Sequence, residues 1–293
     1  MKIFITGGSG LIGQYLNIAL SEKHEILTQY HSHIGNCKHF NSTKVDICDY
    51  ASLEKIFQTF SPQIVIHTAA ISNPEKADAI ASDLVFEINV NTTKRIAELC
   101  DKYNAKLIYL STDLVYAGYR GSMLKEDAKL IPISLYAETK LMGEIKIQQT
   151  FNNYIILREA LVYGIGLNHA RNNFHLMYEK LSNGNPVVLF SDQFRTPLAL
   201  KDSSRMVSEL IEKNISGDVI NFAGKERVSR LELGEILCDV CNLDKNLLVK
   251  STMDEANPVY KVADVSLNIE KLESLGIKPK SIEESIREMF ANV

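Results

Sequence analysis

The chain has 293 residues and a formal net charge of −4. This length suits one large α/β domain with a smaller lobe, or two modest domains. The charge provides no overall basic field and no run of about 18 apolar residues occurs, so neither extended nucleic-acid binding nor a membrane span is predicted.

Up to residue 160, short apolar strands alternate with amphipathic helices. The predicted strands are residues 2–6, 25–29, 64–68, 106–112 and 154–157. The predicted helices are residues 11–21, 51–60, 83–103 and 135–150. Continuous apolar strands separated by helices indicate a parallel sheet that is covered on both faces. Right-handed crossovers make such a sheet doubly wound, and this is the α/β fold class that we predict.

The pattern of elements is looser beyond residue 160. A polar loop precedes a predicted helix at residues 174–181. The other predicted elements are strands at 186–190 and 219–222 and helices at 203–212, 229–241 and 282–290. No repeat and no long linker occurs in this half. We therefore expect residues 161–293 to form mainly a smaller C-terminal substrate-binding lobe, with some segments returning to the sheet.

A glycine-rich turn at residues 6–13 joins the first strand to the first helix. Gly7 permits a tight turn, and Gly10 lets the backbone approach a pyrophosphate. Gly13 lets the helix pack closely on the strand. The free N–H groups and the dipole of the helix then favour phosphates. The turn predicts a Rossmann-type dinucleotide-binding domain over residues 1–160.

The residues after the second strand bear on the choice of dinucleotide. An acid about 20 residues beyond the glycines would bind the ribose 2′-hydroxyl and indicate NAD. No acid lies between Glu25 and Asp46, and His31 follows the strand instead. Because a carboxylate here would repel a 2′-phosphate, its absence favours NADP. NAD remains the alternative, since no arginine is present to bind that phosphate.

Of the twelve tyrosines, only Tyr136 has a lysine four residues later, at Lys140. Residues at this spacing share one face of a helix. A tyrosine with the ordinary pKa of about 10 is a poor proton shuttle at neutral pH. We therefore expect Lys140 to lower the pKa of Tyr136.

The GxxGxxG spacing after Thr6, and a strand end followed by the tyrosine–lysine helix, resemble the extended branch of the short-chain dehydrogenase/reductase superfamily. The resemblance implies that Tyr136 exchanges a proton with the substrate oxygen, that Lys140 also binds the nicotinamide ribose, and that Thr112 orients the carbonyl. The nicotinamide would carry the hydride. The implied cofactor-binding residues are Gly7, Gly10, Leu11, Ile12, Gly13, His31, Asp46, Ile47, Ala69, Ala70, Ser111, Tyr136 and Lys140.

Segments along nearly the whole chain, such as residues 158–164 and 192–197, resemble the dTDP-4-dehydrorhamnose reductase family. Leu114 stands where related dehydratases carry an acid, and epimerases usually have a serine at the position of Thr112. The resemblance therefore implies an NAD(P)H-dependent 4-keto reductase of a nucleotide-activated deoxysugar. The implied substrate-binding residues are Thr112, Asp113, Tyr136, Asn173 and Arg195.

Several alternatives stay open at this point. The chain also resembles the β subunit of methionine adenosyltransferase, a regulatory partner, or it could be another sugar-nucleotide epimerase or reductase. Arg195 could bind the diphosphate of a nucleotide sugar or pair with a surface acid. Asn89 could support the site or be an ordinary structural asparagine. A homodimer is expected only by analogy with relatives.

The cysteines and histidines predict neither a metal site nor a disulfide framework. Five cysteines are scattered through the chain, which is typical of reduced thiols, and a cytoplasmic location is expected. Cys238 and Cys241 have CxxC spacing without a second pair, so we expect structural thiols. None of the seven histidines forms an HExxH pair.

Overall fold

The computed structural model describes residues 1–291. The strands are β1 (Lys2–Thr6), β2 (Glu25–Tyr30), β3 (Ser42–Lys44), β4 (Ile64–His67), β5 (Lys106–Leu110), β6 (Tyr154–Glu159), β7 (Val162–Tyr163), β8 (Val187–Phe190), β9 (Phe194–Arg195), β10 (Leu198–Ala199), β11 (Asp218–Phe222), β12 (Val228–Ser229) and β13 (Leu248–Ser251). The α-helices are α1 (Leu11–Ser21), α2 (Tyr50–Phe60), α3 (Pro74–Asp78), α4 (Ser82–Phe86), α5 (Thr92–Lys102), α6 (Leu135–Thr150), α7 (Asn173–Ser182), α8 (Leu200–Ile211), α9 (Arg230–Cys241), α10 (Met253–Ala256), α11 (Glu270–Ser274) and α12 (Ile282–Phe290). None of these helices is long and apolar enough to cross a membrane.

Seven parallel strands form the central sheet, in the order β3-β2-β1-β4-β5-β6-β11. The chain winds outward in one direction from β1 to β3 and in the other from β4 to β11. This topology confirms the predicted doubly wound α/β fold. Ligands of such sheets bind at the carboxyl ends of the strands, where the winding direction changes between β1 and β4.

The alternation of side chains along β1 divides the core between the two faces of the sheet. Ile3 and Ile5 point to one face and pack in a cluster with Leu16 of α1. Phe4 points to the other face and meets Phe57 of α2, with the ring centroids 6.3 Å apart in an edge-on arrangement. Successive strand residues point to opposite faces, so an apolar strand of this kind requires helices on both sides.

The second half of the chain contributes to both the sheet and a smaller lobe. Strand β11 extends the sheet beside β6, and α8 packs on α1. Within the described residues, the lobe contains three two-stranded sheets, which pair β7 with β10, β9 with β12 and β8 with β13. Its own apolar cluster includes Phe174, Leu237 and Ile286. Cys238 and Cys241 of α9 are free thiols.

Among the differences from the sequence prediction, three bear on the sheet and on the helix that follows β4. Strand β3 was missed because its three residues are polar and it only lines the edge of the sheet beside β2. Strand β6 continues two residues beyond its predicted end and includes Glu159. The predicted helix at residues 83–103 is interrupted by a π-helical turn, Glu87–Asn91, between α4 and α5.

A buried ion pair fastens α6 to the sheet. A guanidinium nitrogen of Arg158 on β6 lies 2.9 Å from a carboxylate oxygen of Glu144 on α6, and both side chains are buried. Arg158 also donates to the hydroxyl of Tyr116 at 2.8 Å and to the carbonyl of Glu126 at 2.8 Å. Glu144 accepts a further hydrogen bond from Ser111. Charge and hydrogen-bonding capacity are therefore matched, as a buried pair requires.

We predict that Arg158→Met destabilises the fold, because the buried carboxylate of Glu144 would lose its ion-pair partner. The expected loss in the free energy of unfolding is about 3–5 kcal/mol, measured by urea denaturation. The control is Lys94→Met, which removes an exposed pair with Glu98 (3.4 Å) and should cost less than about 1 kcal/mol. Equal small losses for the two variants would contradict the structural role of the buried pair.

Candidate active site

A cavity of about 1480 Å³ opens at the carboxyl edge of the sheet. It runs from the glycine turn to the lobe. Of the residues predicted for the site, Gly13 alone is absent from its wall. Those that line the cavity are Gly7, Gly10, Leu11, Ile12, His31, Asp46, Ile47, Ala69, Ala70, Ser111, Thr112, Asp113, Tyr136, Lys140, Asn173 and Arg195. The fold therefore brings the separate motifs to one place.

The glycine turn leaves no room for side chains. Gly7 has a φ of +66°, and a Cβ there would lie 2.7 Å from Thr68 Oγ1 and 2.8 Å from Ala69 N. A Cβ on Gly13 would lie 2.7 Å from the Cα of Gly8, which explains its position behind the cavity wall. Helix α1 begins without a side-chain cap, so its first N–H groups face the cavity free of protein side-chain acceptors. This end of the cavity fits a phosphate.

Gln29, at the end of β2, holds the turn from behind and was missed in the sequence. Its Oε1 accepts a hydrogen bond from the N–H of Gly7 at 2.8 Å, and its Nε2 donates to the carbonyl of Val45 at 2.5 Å. The main-chain carbonyl of Gln29 accepts from the N–H of Gly8 at 2.7 Å.

Histidines surround the cavity beyond the second strand. His31 is exposed, and its Nε2 lies 3.7 Å from a carboxylate oxygen of Asp46. The ring of His33 stacks on that of His169, with the centroids 4.7 Å apart. All four residues line the cavity. The cavity wall beyond β2 therefore carries imidazole rings, and Asp46 is the acid that lies near them.

The loop that carries His169 is tied down over the start of α1. The hydroxyl of Tyr15 donates to the carbonyl of Ile165 at 2.6 Å. The amide of Gln14 donates to the carbonyl of Leu167 at 2.9 Å and accepts from the amide of Asn168 at 2.6 Å. Two polar side chains of α1 thus fix a loop of the second half above the glycine turn.

A buried hydrogen-bond chain links β1 to β4 and to the start of α5. His67 Nδ1 lies 2.7 Å from Thr6 Oγ1, and His67 Nε2 lies 3.0 Å from Thr93 Oγ1. Thr93 donates its hydroxyl proton to the carbonyl of Asn89, so it accepts from Nε2–H of His67. Nδ1 then accepts the proton of Thr6, whose oxygen accepts from the N–H groups of Thr68 and Ala69. Burial lowers the pKa of His67 to about 3, which keeps this neutral tautomer.

Asn89 extends the chain from the π-helical turn to α6. Its Oδ1 accepts from the N–H of Ile71 at 2.9 Å. Its Nδ2 donates to the carbonyl of Ile71 at 3.2 Å and to the hydroxyl of Thr139 at 3.0 Å. Because Thr139 is adjacent to Lys140, this asparagine supports the helix of the tyrosine–lysine motif through structural hydrogen bonds. These contacts are structural, and a role of Asn89 in the reaction site stays a prediction.

Tyr136 and Lys140 lie one turn apart on α6, and both are buried at the cavity wall. The Nζ of Lys140 lies 4.0 Å from the centroid of the Tyr109 ring, a cation–π distance. Burial lowers the pKa of Lys140 to about 7, while Glu144 and Glu159 act in the opposite direction. Burial raises the pKa of Tyr136, and a hydrogen bond with Thr112 opposes this rise.

The prediction that Lys140 lowers the pKa of Tyr136 was therefore wrong for this structure. Desolvation penalises the phenolate more than its neighbours stabilise it, so the pKa of Tyr136 lies above that of an exposed tyrosine. The groups that act on the pKa of Tyr136 besides burial are Thr112, Asp113 and Glu159, and burial lowers the pKa of Lys140 itself to about 7. Tyr136 therefore keeps its proton at neutral pH.

The lobe supplies two arginines to the cavity, Arg195 and Arg230. Arg195 is buried, and its Nε lies 3.8 Å from the buried carboxylate of Asp113. Its Nη1 donates to the carbonyls of Phe194 at 2.6 Å and Val262 at 3.2 Å. Burial raises the pKa of Asp113, whereas both arginines oppose that rise. The acid that pairs with Arg195 is therefore in the cavity and not on the surface.

Glu159 is a further cavity residue that the sequence reasoning missed. It ends β6, and its Oε1 accepts a hydrogen bond from the hydroxyl of Ser203 at 2.8 Å. Burial raises its pKa to about 7, against the effects of Ser203 and Lys140. A charged residue at the carboxyl end of a parallel strand was the signal, but the predicted strand ended at Leu157.

Comparison with known proteins assigns the chain. The model of the family described as "RmlD substrate binding domain" matches residues 1–293. The protein belongs to this family. The match confirms the resemblance identified from the sequence, and with it the assignment to NAD(P)-dependent oxidoreductases.

Relatives of this RmlD-family protein span most of its length. The chain is 28% identical to a probable low-salt glycan biosynthesis reductase, Agl14, of Haloferax volcanii, over 99% of this chain and 98% of the relative. It is 25% identical to the methionine adenosyltransferase 2 subunit beta of Xenopus laevis, over 94% of this chain and 83% of the relative. A crystal structure of dTDP-4-dehydrorhamnose reductase from Bacillus anthracis in complex with NADP has a TM-score of 0.87 at 23% identity and covers 100% of this chain and 99% of its own.

For the RmlD-family turn we predict that Gly7→Ala weakens NADPH binding by about tenfold or more, since positive φ costs a non-glycine residue about 1–2 kcal/mol and the Cβ meets Ala69. Titration of NADPH fluorescence measures the affinity. Gly184→Ala is the control, because Gly184 has a similar φ of +72° and no atom of residues 1–291 lies within 4 Å of the added Cβ. Unchanged affinity in Gly7→Ala would contradict a cofactor at this turn.

Proposed function

We propose that the protein is an NADPH-dependent 4-keto reductase of a nucleotide-activated deoxysugar. The observation that carries this proposal is the placement of Thr112, Tyr136 and Lys140 in one cavity with the glycine turn. The cradle around Gly7 fits a pyrophosphate because any Cβ there would collide with its surroundings. Family membership supports a sugar-nucleotide reductase, and the 4-keto deoxysugar is our more specific assignment.

The proton of the reaction would come from Tyr136. A bound nicotinamide would supply a hydride to the carbonyl carbon of the substrate. The raised pKa of Tyr136 keeps its phenol protonated at neutral pH, so it can donate to the oxygen that gains negative charge. Lys140, with a pKa of about 7, can hold a proton at Nζ near the resulting phenolate. A protonated Tyr136 suits reduction, because in that direction the phenol must donate a proton to the substrate.

Thr112 would orient the carbonyl beside Tyr136. Its Oγ1 accepts from the N–H of Leu114 at 3.2 Å, which fixes the hydroxyl at the cavity wall. Leu114 also lines the cavity, so the position where related dehydratases carry an acid is apolar. These two residues support reduction over dehydration.

The lobe would recognise the nucleotide sugar. Arg195 and Arg230 bring two guanidiniums to the cavity beside the carboxylate of Asp113, and such groups suit a diphosphate. Asn173, at the start of α7, is a candidate for a sugar hydroxyl. A single substrate could thus contact both the lobe and the Tyr136 side of the cavity.

We also propose that NADP(H) is preferred over NAD(H). His31 follows β2 where NAD-specific proteins usually carry an acid, and the cavity wall there holds imidazoles. The Bacillus anthracis structure in complex with NADP supports the same choice. A histidine ring nitrogen can donate a hydrogen bond to a phosphate.

A regulatory role is the second candidate. The methionine adenosyltransferase subunit beta aligns with 94% of this chain. In this role the protein would hold the cofactor and dock on a partner without turnover. The intact set of Thr112, Tyr136 and Lys140 favours catalysis.

The direct test is to incubate the protein with dTDP-4-keto-6-deoxy-L-mannose and NADPH. The proposal predicts a fall in absorbance at 340 nm. A flat trace with this and related nucleotide-linked 4-keto sugars, at concentrations where NADPH is shown to bind, would contradict the reductase and favour the regulatory role.

Tyr136→Phe should lower kcat by at least about 10²-fold while NADPH affinity is kept, because only the transferable proton is removed. Stopped assays with the 4-keto sugar measure kcat, and titrations with NADPH measure the affinity for the cofactor. Tyr119→Phe is the control, since Tyr119 is 64% exposed and lies outside the cavity wall. Turnover that survives in Tyr136→Phe would contradict the assigned proton donor.

His31→Asp should shift the preference from NADPH towards NADH by about tenfold or more, since a carboxylate would repel the 2′-phosphate and accept from a 2′-hydroxyl. The ratio of the two dissociation constants measures the preference. His39→Asp introduces the same charge at an exposed position outside the cavity wall and should leave the ratio unchanged. Equal ratios of the two dissociation constants in both variants would mean that a residue other than His31 discriminates between NADPH and NADH.

A further inference from the structure

Two histidines on the cavity wall have ring nitrogens that make no hydrogen bond or ion pair within residues 1–291. His33 follows β2, and His169 lies in the loop between β7 and α7. Their rings stack with the centroids 4.7 Å apart. Each neutral imidazole carries one N–H donor, and a protonated imidazole carries two. The pair therefore brings uncommitted donors from two distant parts of the chain to one place on the wall.

The third histidine at this end of the cavity, His31, is already engaged by its neighbours. Its Nδ1 lies 2.9 Å from the hydroxyl oxygen of Ser32, and its Nε2 lies 3.7 Å from a carboxylate oxygen of Asp46. The free imidazole donors beyond β2 are therefore those of the stacked pair.

Hydrogen bonds of Gln14 on α1 fix the position of the stacked pair beside the glycine turn. The Oε1 of Gln14 accepts from the N–H of Asn36 at 3.0 Å, in the segment after β2. The same oxygen accepts from the amide of Asn168 at 2.6 Å, next to the second histidine. The Nε2 of Gln14 donates to the carbonyl of Ser9 in the glycine turn at 3.1 Å. One side chain thus connects the turn with both segments that carry the imidazoles.

The cavity wall around the pair has no stronger cation. The parts of the wall that come from residues 29–48 and 165–171 include no lysine or arginine. Lys38 is exposed and lies outside the wall. Arg171 also lies outside the wall, and its guanidinium is 2.6 Å from a carboxylate oxygen of Glu179. An anion bound at this end therefore depends on the N–H groups of imidazoles.

The charges of the two stacked rings also favour an anion. Partial burial lowers the pKa of His169, and the neighbouring His33 acts in the same direction. An opposite charge close to an imidazole favours its cationic form. A bound anion would therefore offset the unfavourable approach of the two rings.

We propose that His33 and His169 together bind a phosphate monoester, the 2′-phosphate on the adenosine half of NADP(H). The adenosine ribose of a dinucleotide lies at the end of the second strand of a Rossmann sheet, which is the end of the cavity that this pair lines. The inference rests on the proposed function, because it assigns the preference for NADP(H) to two residues. One of them comes from a loop of the second half of the chain.

The test isolates the 2′-phosphate with a matched pair of probes. Adenosine 2′,5′-bisphosphate and adenosine 5′-monophosphate differ by that one phosphate. Calorimetric titration of the full-length protein gives the dissociation constant of each nucleotide. In the wild type we expect the bisphosphate to bind about tenfold or more tightly than the monophosphate, because hydrogen bonds to a charged group are the strong ones.

Phenylalanine variants separate donation to the phosphate from stacking. His169→Phe keeps an aromatic ring for the stack and removes the N–H donors, so the ratio of the two dissociation constants should fall towards one while the affinity for the monophosphate is kept. His33→Phe should act in the same way. His169→Arg restores N–H donors and should keep a higher ratio than His169→Phe. His39→Phe is the control, since it places the same ring at an exposed position outside the cavity wall.

The outcomes distinguish this inference from the proposed function. A wild-type ratio in both folded variants, His33→Phe and His169→Phe, would overturn the assignment. An equal loss of affinity for both nucleotides would also overturn it, because the pair would then contact adenine or act only in the fold. His33 is exposed, so its variant remains informative if His169→Phe fails to fold. A ratio that falls in the variants, without any NADPH oxidation by the wild type with 4-keto sugars, would support the phosphate site and contradict the reductase.

Discussion

The geometry of the site depends on one buried chain of hydrogen bonds. Thr6, His67, Thr93 and Asn89 connect the end of β1, the end of β4 and the helix that follows. All donors and acceptors of this hydrogen-bond chain are paired when His67 is neutral, with its proton on Nε2. Burial keeps His67 neutral, because it lowers the pKa to about 3. The hydrogen-bond chain fixes the glycine turn at one end. Through the amide of Asn89 it reaches the helix that carries the tyrosine and lysine at the other.

Burial then decides how the reactive groups can act. The phenol of Tyr136 is held protonated, because burial raises its pKa. Lys140 is held near the midpoint of its titration by the competition between desolvation and the surrounding acids. Burial removes water from around these groups. The low dielectric constant that results also strengthens the effect of each neighbouring charge on their pKa values. A cavity with this balance suits a step in which a proton must leave the protein as negative charge develops on the substrate.

The parts of the site that are predictable from the sequence are those written in local patterns. The glycine spacing and the tyrosine–lysine pair each depend on a single turn or helix, and the parallel, doubly wound sheet follows from the alternation of strands with helices. Gln29 and Glu159 were missed because their roles arise from partners distant in the chain, Gly7 and Ser203. The pKa of Tyr136 was predicted in the wrong direction, since spacing reveals a neighbouring lysine but not the loss of water around both groups.

The central claim is that this cavity transfers hydride and proton to a sugar carbonyl. The most direct measurement is the fate of deuterium from NADPH labelled at C4 of the nicotinamide, followed by NMR of the nucleotide sugar. The account predicts that, with the label on the transferred face, one deuterium appears on the former carbonyl carbon, with the hydroxyl proton drawn from solvent. Bound NADPH that passes no deuterium from either face to any nucleotide-linked 4-keto sugar would contradict it.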